Sequence, residues 1–285
     1  CYSLKEFFIP KTVTGLATDS FGSCISLRKV TFEEGSRMTE IAGLAFSGSG
    51  LEEIELPQGI TKIGGSAFSN CAKLKKFVAP SSLAEIGGDA FAYCTSLETV
   101  DLSAASVKKI GSGAFRYDTA LRRVYGLSNL TDVAAQLFSG DTELTYVDLP
   151  DTVASVGMYA FRGCAKLTEI YLGDACRSIG KEAFYGCYSL RTIRVGAGAS
   201  LTFGTDALYG CNALENIYVH PDNETHMSDN GIFYTLDETD SKNTTGMKYW
   251  YLSLVPSAKK LEEFHLRSDV TVIMDYAFAY HSEMK

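Results

Sequence analysis

Apolar residues recur along this chain on a regular grid. A small residue followed by an aromatic one returns as Ser20-Phe21, Ala45-Phe46, Ala67-Phe68, Ala90-Phe91, Ala114-Phe115, Leu137-Phe138, Ala160-Phe161, Ala183-Phe184, Ala207-Leu208 and Ala277-Phe278, at intervals of 22 to 25 residues up to Leu208. Downstream of each aromatic comes a leucine, as Leu27, Leu74, Leu97, Leu121, Leu144, Leu167, Leu190 or Leu214. Two further apolar positions follow it, as in Leu97, Val100 and Leu102, or Leu167, Ile170 and Leu172. That ending alternates with period two and predicts a short strand with one buried face. Pro10, Pro57, Pro80 and Pro150 stand directly after it, where a missing N–H takes the residue out of any ladder. A second apolar pair follows, for example Ile60 and Ile63 or Val153 and Val156. Gly64, Gly87, Gly111, Gly157, Gly180 or Gly204 comes next and is expected to permit a left-handed or otherwise strained corner. One unit thus reads as strand, corner, second short edge, glycine corner, and a helical or 3₁₀ turn.

A period of this length marks a solenoid, in which each unit buries its apolar face only against its neighbours. The predicted fold is one leucine-rich repeat solenoid over 1–285, β-rich, a curved right-handed coil with a parallel concave sheet. Regular repeats of about 23 residues fill 1–219 and a final partial repeat fills 258–285. Between them, 220–257 breaks the period: the next matching leucine after Leu214 is Leu261, 47 residues on. The runs Asp229–Thr235 and Lys248–Pro256 are β-prone and flank a polar loop, Leu236–Gly246, so a projecting β-hairpin with a mobile tip is expected. The unit at Phe46 is one residue short, with Gly48 and Gly50 to absorb a tighter turn. The chain opens at Cys1 inside a unit and stops at Lys285 inside another, which reads as a fragment whose targeting and anchoring segments lie outside it.

Composition narrows the function. Hydrophobic residues at 46% and charged residues at 21% provide for a core and exclude general disorder. The net charge of −8, with Lys and Arg scattered singly, argues against nucleic acid as a partner, because phosphate tracking needs clustered cations. No apolar run reaches the roughly 18 residues of a membrane span.

Cysteine supplies the obvious candidate chemistry. Cys24, Cys71, Cys94, Cys164, Cys187 and Cys211 follow the aromatic at a fixed offset, and Asp118 and Asp141 take that place in two units. Adjacent coils would bring such residues about 4.8 Å apart, within the Cα range of a disulfide. Laddered side chains run parallel, however, whereas a disulfide needs converging Cβ vectors, so buried free thiols are expected. An Asp in that position suits a side chain that hydrogen-bonds neighbouring backbone. Ligands on a line do not converge as zinc requires, and Cys176 falls at an apolar core position. No Gly-x-Ser-x-Gly elbow, phosphate-binding glycine loop or enclosed carboxylate pair stands out, so neither an enzyme nor a cofactor is expected.

The segment Leu51-Glu-Glu-Ile-Glu-Leu-Pro-Gln-Gly-Ile-Thr-Lys-Ile-Gly-Gly-Ser-Ala-Phe-Ser-Asn-Cys71 carries the whole pattern. It resembles the BspA-like (Treponema-type) leucine-rich repeat, and the resemblance extends over 1–219 and 258–285. The resemblance implies an extracellular or surface-displayed, non-catalytic repeat protein associated with adhesion to protein or glycan partners, host or matrix macromolecules among them. Leu208 in place of Phe, the two Asp and the stretch His220–Ser257 depart from the pattern.

On each strand the residues flanking the inward Val or Ile point outward. In the second half these form a Tyr and Arg stripe: Arg123 and Tyr125, Tyr146 and Asp148, Glu169 and Tyr171, Thr192 and Arg194, and Tyr218. Trp250 on the hairpin is grouped with them. Such side chains on a rigid frame supply contact area at little ordering cost, which makes them candidate binding residues. The alternative is that Tyr merely favours strands and cross-strand contact, with Trp250 covering the solenoid edge and the array serving as a stalk or spacer. Asn-x-Ser/Thr sequons occur at Asn129, Asn223 and Asn243, with Asn129 expected to be the least accessible.

Overall fold

In a computed structural model, which describes residues 1–236, 250–259, 265–274 and 277–278, the chain winds as a solenoid of parallel strands. Leu261, the loop segment 237–246 and Asn243 lie outside the described residues. The leucine-led strands stack coil upon coil in register, as in Lys76–Val78, Thr99–Asp101 and Arg123–Tyr125, where Phe77, Val100 and Val124 turn inward. Two-residue strands such as Lys62–Ile63, Glu85–Ile86 and Lys109–Ile110 form the second edge in the same parallel sense.

The third edge is not helical. No helix is present among the described residues, and the Ala-Phe segment is a run of linked turns. Its N–H groups alternate in direction. Phe68 and Asn70 donate to Ala90 and Ala92 of the next coil at 2.7 and 2.8 Å, while Ser69 and Cys71 donate locally to Ser66 and Phe68 at 3.1 Å. Ser66 and Asn70 sit at φ of 55° and 61° to make that alternation, and a helix cannot pass through such left-handed residues.

The glycine corner works through space, not handedness. Gly64, Gly87, Gly111, Gly157, Gly180 and Gly204 all lack a positive φ. A Cβ on Gly111 would lie 2.4 Å from the backbone nitrogen of Gly88, and one on Gly87 2.6 Å from that of Gly65. Only a residue without Cβ lets the coils close to strand spacing here.

A column of rings runs through the core of the repeats. Phe21, Phe46, Phe68, Phe91, Phe115, Phe138, Phe161 and Phe184 stack with ring centroids 5.1–5.8 Å apart, an offset arrangement that aromatic quadrupoles favour. Leu208 ends the column at the far coil. Beyond it, His226–Asp229 and Ile232–Leu236 pair antiparallel around Asn230-Gly231, at φ 48° and 75°, so the Asn-Gly inside the β-prone run is a hairpin turn. Trp250–Leu254 then pairs antiparallel with Ile232–Leu236 and parallel with Val270–Ile273.

Asn223 ties this unit to the solenoid. Its Nδ2 donates to Gly196 and Ala199 carbonyls at 2.8 Å, and its Oδ1 accepts from the His226 N–H at 2.8 Å. Of the two sequons among the described residues, Asn223 is the buried one, whereas Asn129 is exposed because Leu130, one residue on, takes the inward position.

Candidate functional site

The stripe assembles on the leucine-led strands in two rows. In the first row Arg123 pairs with Thr99 on one side and Tyr146 on the other, and Glu169, Thr192 and Asn216 continue it in the next sheet. In the second, Tyr125 stands beside Asp101, and Tyr171, Arg194 and Tyr218 are successive neighbours. Tyr125, Tyr146, Tyr171 and Tyr218 are 44%, 52%, 37% and 44% exposed, so each phenol presents an edge to solvent while its strand stays anchored.

Contacts within the stripe fix several of these groups. Arg194 forms an ion pair with Glu169 and lies 5.4 Å from the Tyr218 ring centroid. The Tyr146 hydroxyl approaches Asp148 at 3.5 Å. Tyr171 is pushed up to about 12, first by partial burial and then by its hydrogen bond to Asp151, so it remains a neutral donor. Arg123 has no ion-pair partner among the described residues. The remaining candidate, Trp250, is not on this surface. It is 7% exposed and packs with Ile232, Tyr234, Leu252 and Val255 in a second apolar cluster, because Trp250 and Leu252 take the inward alternation of their strand.

Sequence reasoning missed a second row of aromatic and cationic side chains on the linked-turn edge. Tyr93 and Tyr117 stack at 5.0 Å, as do Tyr185 and Tyr209 at 4.9 Å. The Arg116 guanidinium lies 5.1 Å from the Tyr93 ring, and that of Arg162 lies 5.0 Å from Tyr185 and 5.8 Å from Tyr159. The residues occupy different offsets from the phenylalanine in different coils, so no fixed spacing in the sequence announces them. The usable signal was Tyr93 and Tyr117 standing where Gly140, Gly163, Gly186 and Gly210 stand in other coils.

The cysteine line is buried and free of disulfides. The Cys71, Cys94, Cys164 and Cys187 thiols donate at 3.1 Å to the carbonyls of Phe46, Phe68, Phe138 and Phe161, each one coil back. Ser49 stands at the same offset from Phe46 and takes the same place, with its Oγ 3.3 Å from Cys71 Sγ. Burial pushes the Cys164 and Cys187 thiols up, which keeps them protonated and unreactive. Asp118 and Asp141 accept from the N–H groups of Cys94 and Asp118 at 2.7 and 2.9 Å, and their second oxygens are buried without a partner. Burial drives both carboxyls well above the ordinary range. Among the described residues no group of three or more His, Cys, Asp or Glu converges as a metal site, and no helix is long and apolar enough to cross a membrane.

The arrangement offers laterally repeated contact. No curated protein matches the chain in sequence. Among solved structures, a leucine-rich repeat protein from Eubacterium ventriosum is 22% identical over 80% of this chain and 63% of its own, with a TM-score of 0.61, and shares the fold. A leucine rich cell surface protein from Faecalibacterium prausnitzii is 28% identical over 68% of this chain, with a TM-score of 0.47; the chain spans 60% of that protein's length. The leucine rich repeat protein of T. pallidum is 28% identical over 63% of this chain and 80% of its own, with a TM-score of 0.49. The BspA type leucine rich repeat region matches in 6 copies over residues 1–122, 131–248 and 167–285, and the chain belongs to that family.

Proposed function

We propose that this protein is a non-catalytic binding module displayed at the cell surface, which grips a protein or glycan through the concave face of its leucine-led sheet. The observation that carries this reading is the pair of rows formed by Arg123, Tyr125, Tyr146, Tyr171, Arg194 and Tyr218, exposed on strands whose opposite faces are buried. Amphipathic tyrosines and an unpaired arginine held on a rigid ladder form contacts without first having to be ordered. The surface location is carried over from the repeat family. Thr192, Asp148 and Glu169 supply hydrogen-bonding groups between the rings, and the curved coil would let successive coils reach one ligand.

The mutual pairing of Glu169, Arg194 and Tyr218 favours a second reading, a stalk that holds another domain away from the cell. Binding of the wild type and of Tyr125→Ala/Tyr146→Ala/Tyr171→Ala to arrayed extracellular-matrix proteins and glycans separates the two. A ligand module loses selective binding in the folded triple variant. A stalk binds nothing selectively in either form.

A further inference from the structure

The rings of the linked-turn edge are taken up by one another or by arginines: Tyr93 and Tyr185 each lie between a second tyrosine and a guanidinium. On the strand face, Tyr218 is likewise covered by Arg194. Tyr125, Tyr146 and Tyr171 differ. Among the described residues no ring stacks on them and no guanidinium lies over them. We propose that these three rings, with the carboxylates beside them, bind an arginine-bearing basic segment of another protein. The inference rests on the strand-face reading and names the class of its partner.

Hydrogen bonds already made within the face decide the sign of the ligand. The Tyr146 hydroxyl approaches Asp148 as a donor at 3.5 Å, and that of Tyr171 donates to Asp151 of the preceding coil. With their hydrogens so engaged, the two phenols have lone pairs and ring faces left to offer. Asp148, Asp151 and Asp174 are exposed and have no ion-pair partner among the described residues. A face of acceptors and π-systems complements a group made only of donors. Arginine is such a group, with five N–H bonds and no acceptor, and its flat guanidinium can stack on an aromatic face while a carboxylate takes its N–H bonds. An anionic ligand would instead meet three uncompensated carboxylates.

Position supports the same class. Asp148 holds the matching place between Tyr125 and Tyr171, one coil from each, so about 4.8 Å separates neighbouring backbones. A guanidinium bonded to Asp148 therefore comes within the roughly 6 Å over which a cation is drawn to a ring face. The cations of this surface stand elsewhere or are occupied. Lys76 and Arg123 belong to the other row, in register through Thr99. Arg194 is paired with Glu169. Arg177 turns its Nη1 to the carbonyls of Asp174 and Cys176, at 2.8 and 3.0 Å, and leaves the Asp174 carboxylate without a cation.

The test is fluorescence anisotropy of labelled peptides in which glycine alternates with arginine, lysine or glutamate, titrated with the chain at physiological ionic strength. The expected order is arginine over lysine, with no binding of the glutamate peptide. Asp148→Asn/Asp151→Asn/Asp174→Asn should weaken the arginine peptide by about tenfold or more, and so should Tyr125→Ala/Tyr146→Ala/Tyr171→Ala. Glu34→Gln/Glu40→Gln/Glu224→Gln removes the same charge from exposed sites elsewhere and should leave the affinity nearly unchanged. Should the tyrosine variant not fold, Tyr125→Leu, which keeps the buried Val124 of its strand, carries that arm. The proposal is overturned if the arginine peptide does not bind, if the lysine peptide binds equally well, if binding survives in either the aspartate or the tyrosine variant, or if the charge-matched control loses as much. Arrayed ligands lost in the tyrosine variant but kept in the aspartate variant would also overturn it, with the strand-face reading left standing. Arrayed ligands kept by both variants would sink that reading and this proposal with it.

Discussion

Asp118 and Asp141 occupy a position where most coils place a thiol that donates to a phenylalanine carbonyl one coil back. A carboxylate cannot donate, and the unpartnered second oxygen of each residue is where a proton would restore that donor. Burial, with Asp141 adding to it at Asp118, raises both groups well above the ordinary value of 3.8. For a carboxyl raised on folding, the stabilising contribution is complete below the unfolded value and is lost as pH rises toward the folded one. The loss is about 1.4 kcal/mol per pH unit for each group. Adjacent in the ladder, the two titrate as a pair. Asp118→Asn/Asp141→Asn keeps the accepting oxygen and adds an N–H donor. Thermal unfolding of this variant at pH 4 and pH 7 should show a gain over the wild type at pH 7 that shrinks at pH 4. Parallel curves at the two pH values would mean that the carboxyls are not neutral. The Asp-for-Cys exchange was legible in the sequence because it keeps the spacing from Phe115 and Phe138. Ser49 keeps the same spacing from Phe46, and the residue its unit lacks falls after it, before Leu51.

Strands and corners differ in how openly the sequence states them. The leucine-led strand is encoded by period two and a proline stop, and it forms where those signals place it. The glycine corner was recognisable by position, but its cause was not, since only the stacked coils show that a Cβ on Gly111 would meet the Gly88 backbone at 2.4 Å. Backbone cannot yield as a side-chain tip does, so Gly111→Ala should cost about 3 kcal/mol in chemical denaturation. Gly15, with nothing within 4 Å of its added Cβ, provides the comparison, and Gly15→Ala should leave the midpoint nearly unchanged. Equal effects from the two would refute crowding as the reason for the corner glycine. The linked-turn edge was the least legible element. Its hydrogen bonds alternate between coils and within coils, a pattern neither helical nor strand periodicity describes. Its tyrosines come together only when coils stack, as with Trp250, whose inward orientation depends on the register its strand takes beside Ile232–Leu236.

Across the whole molecule each coil is supported only by the coils on either side, so local damage should spread along the axis and not through the volume. Phe138 lies in the middle of the ring column, 5.8 Å from Phe115 and 5.4 Å from Phe161. Phe138→Ala removes a fully buried ring at a cost of about 3–5 kcal/mol. Amide exchange should then quicken first between the coils of Phe115 and Phe161, with the coils of Phe46 and Phe68 keeping their protection. Uniform acceleration along the chain would contradict nearest-neighbour support. The thiol line records the same property in chemical form. Cys24, Cys71, Cys94, Cys164, Cys187 and Cys211 are sealed in successive stations from one end of the array to the other. A thiol-specific reagent can reach each of them only while its own coil is open. The order in which these six cysteines become alkylated is therefore a clock of breathing along the axis, which the protein carries without any added label.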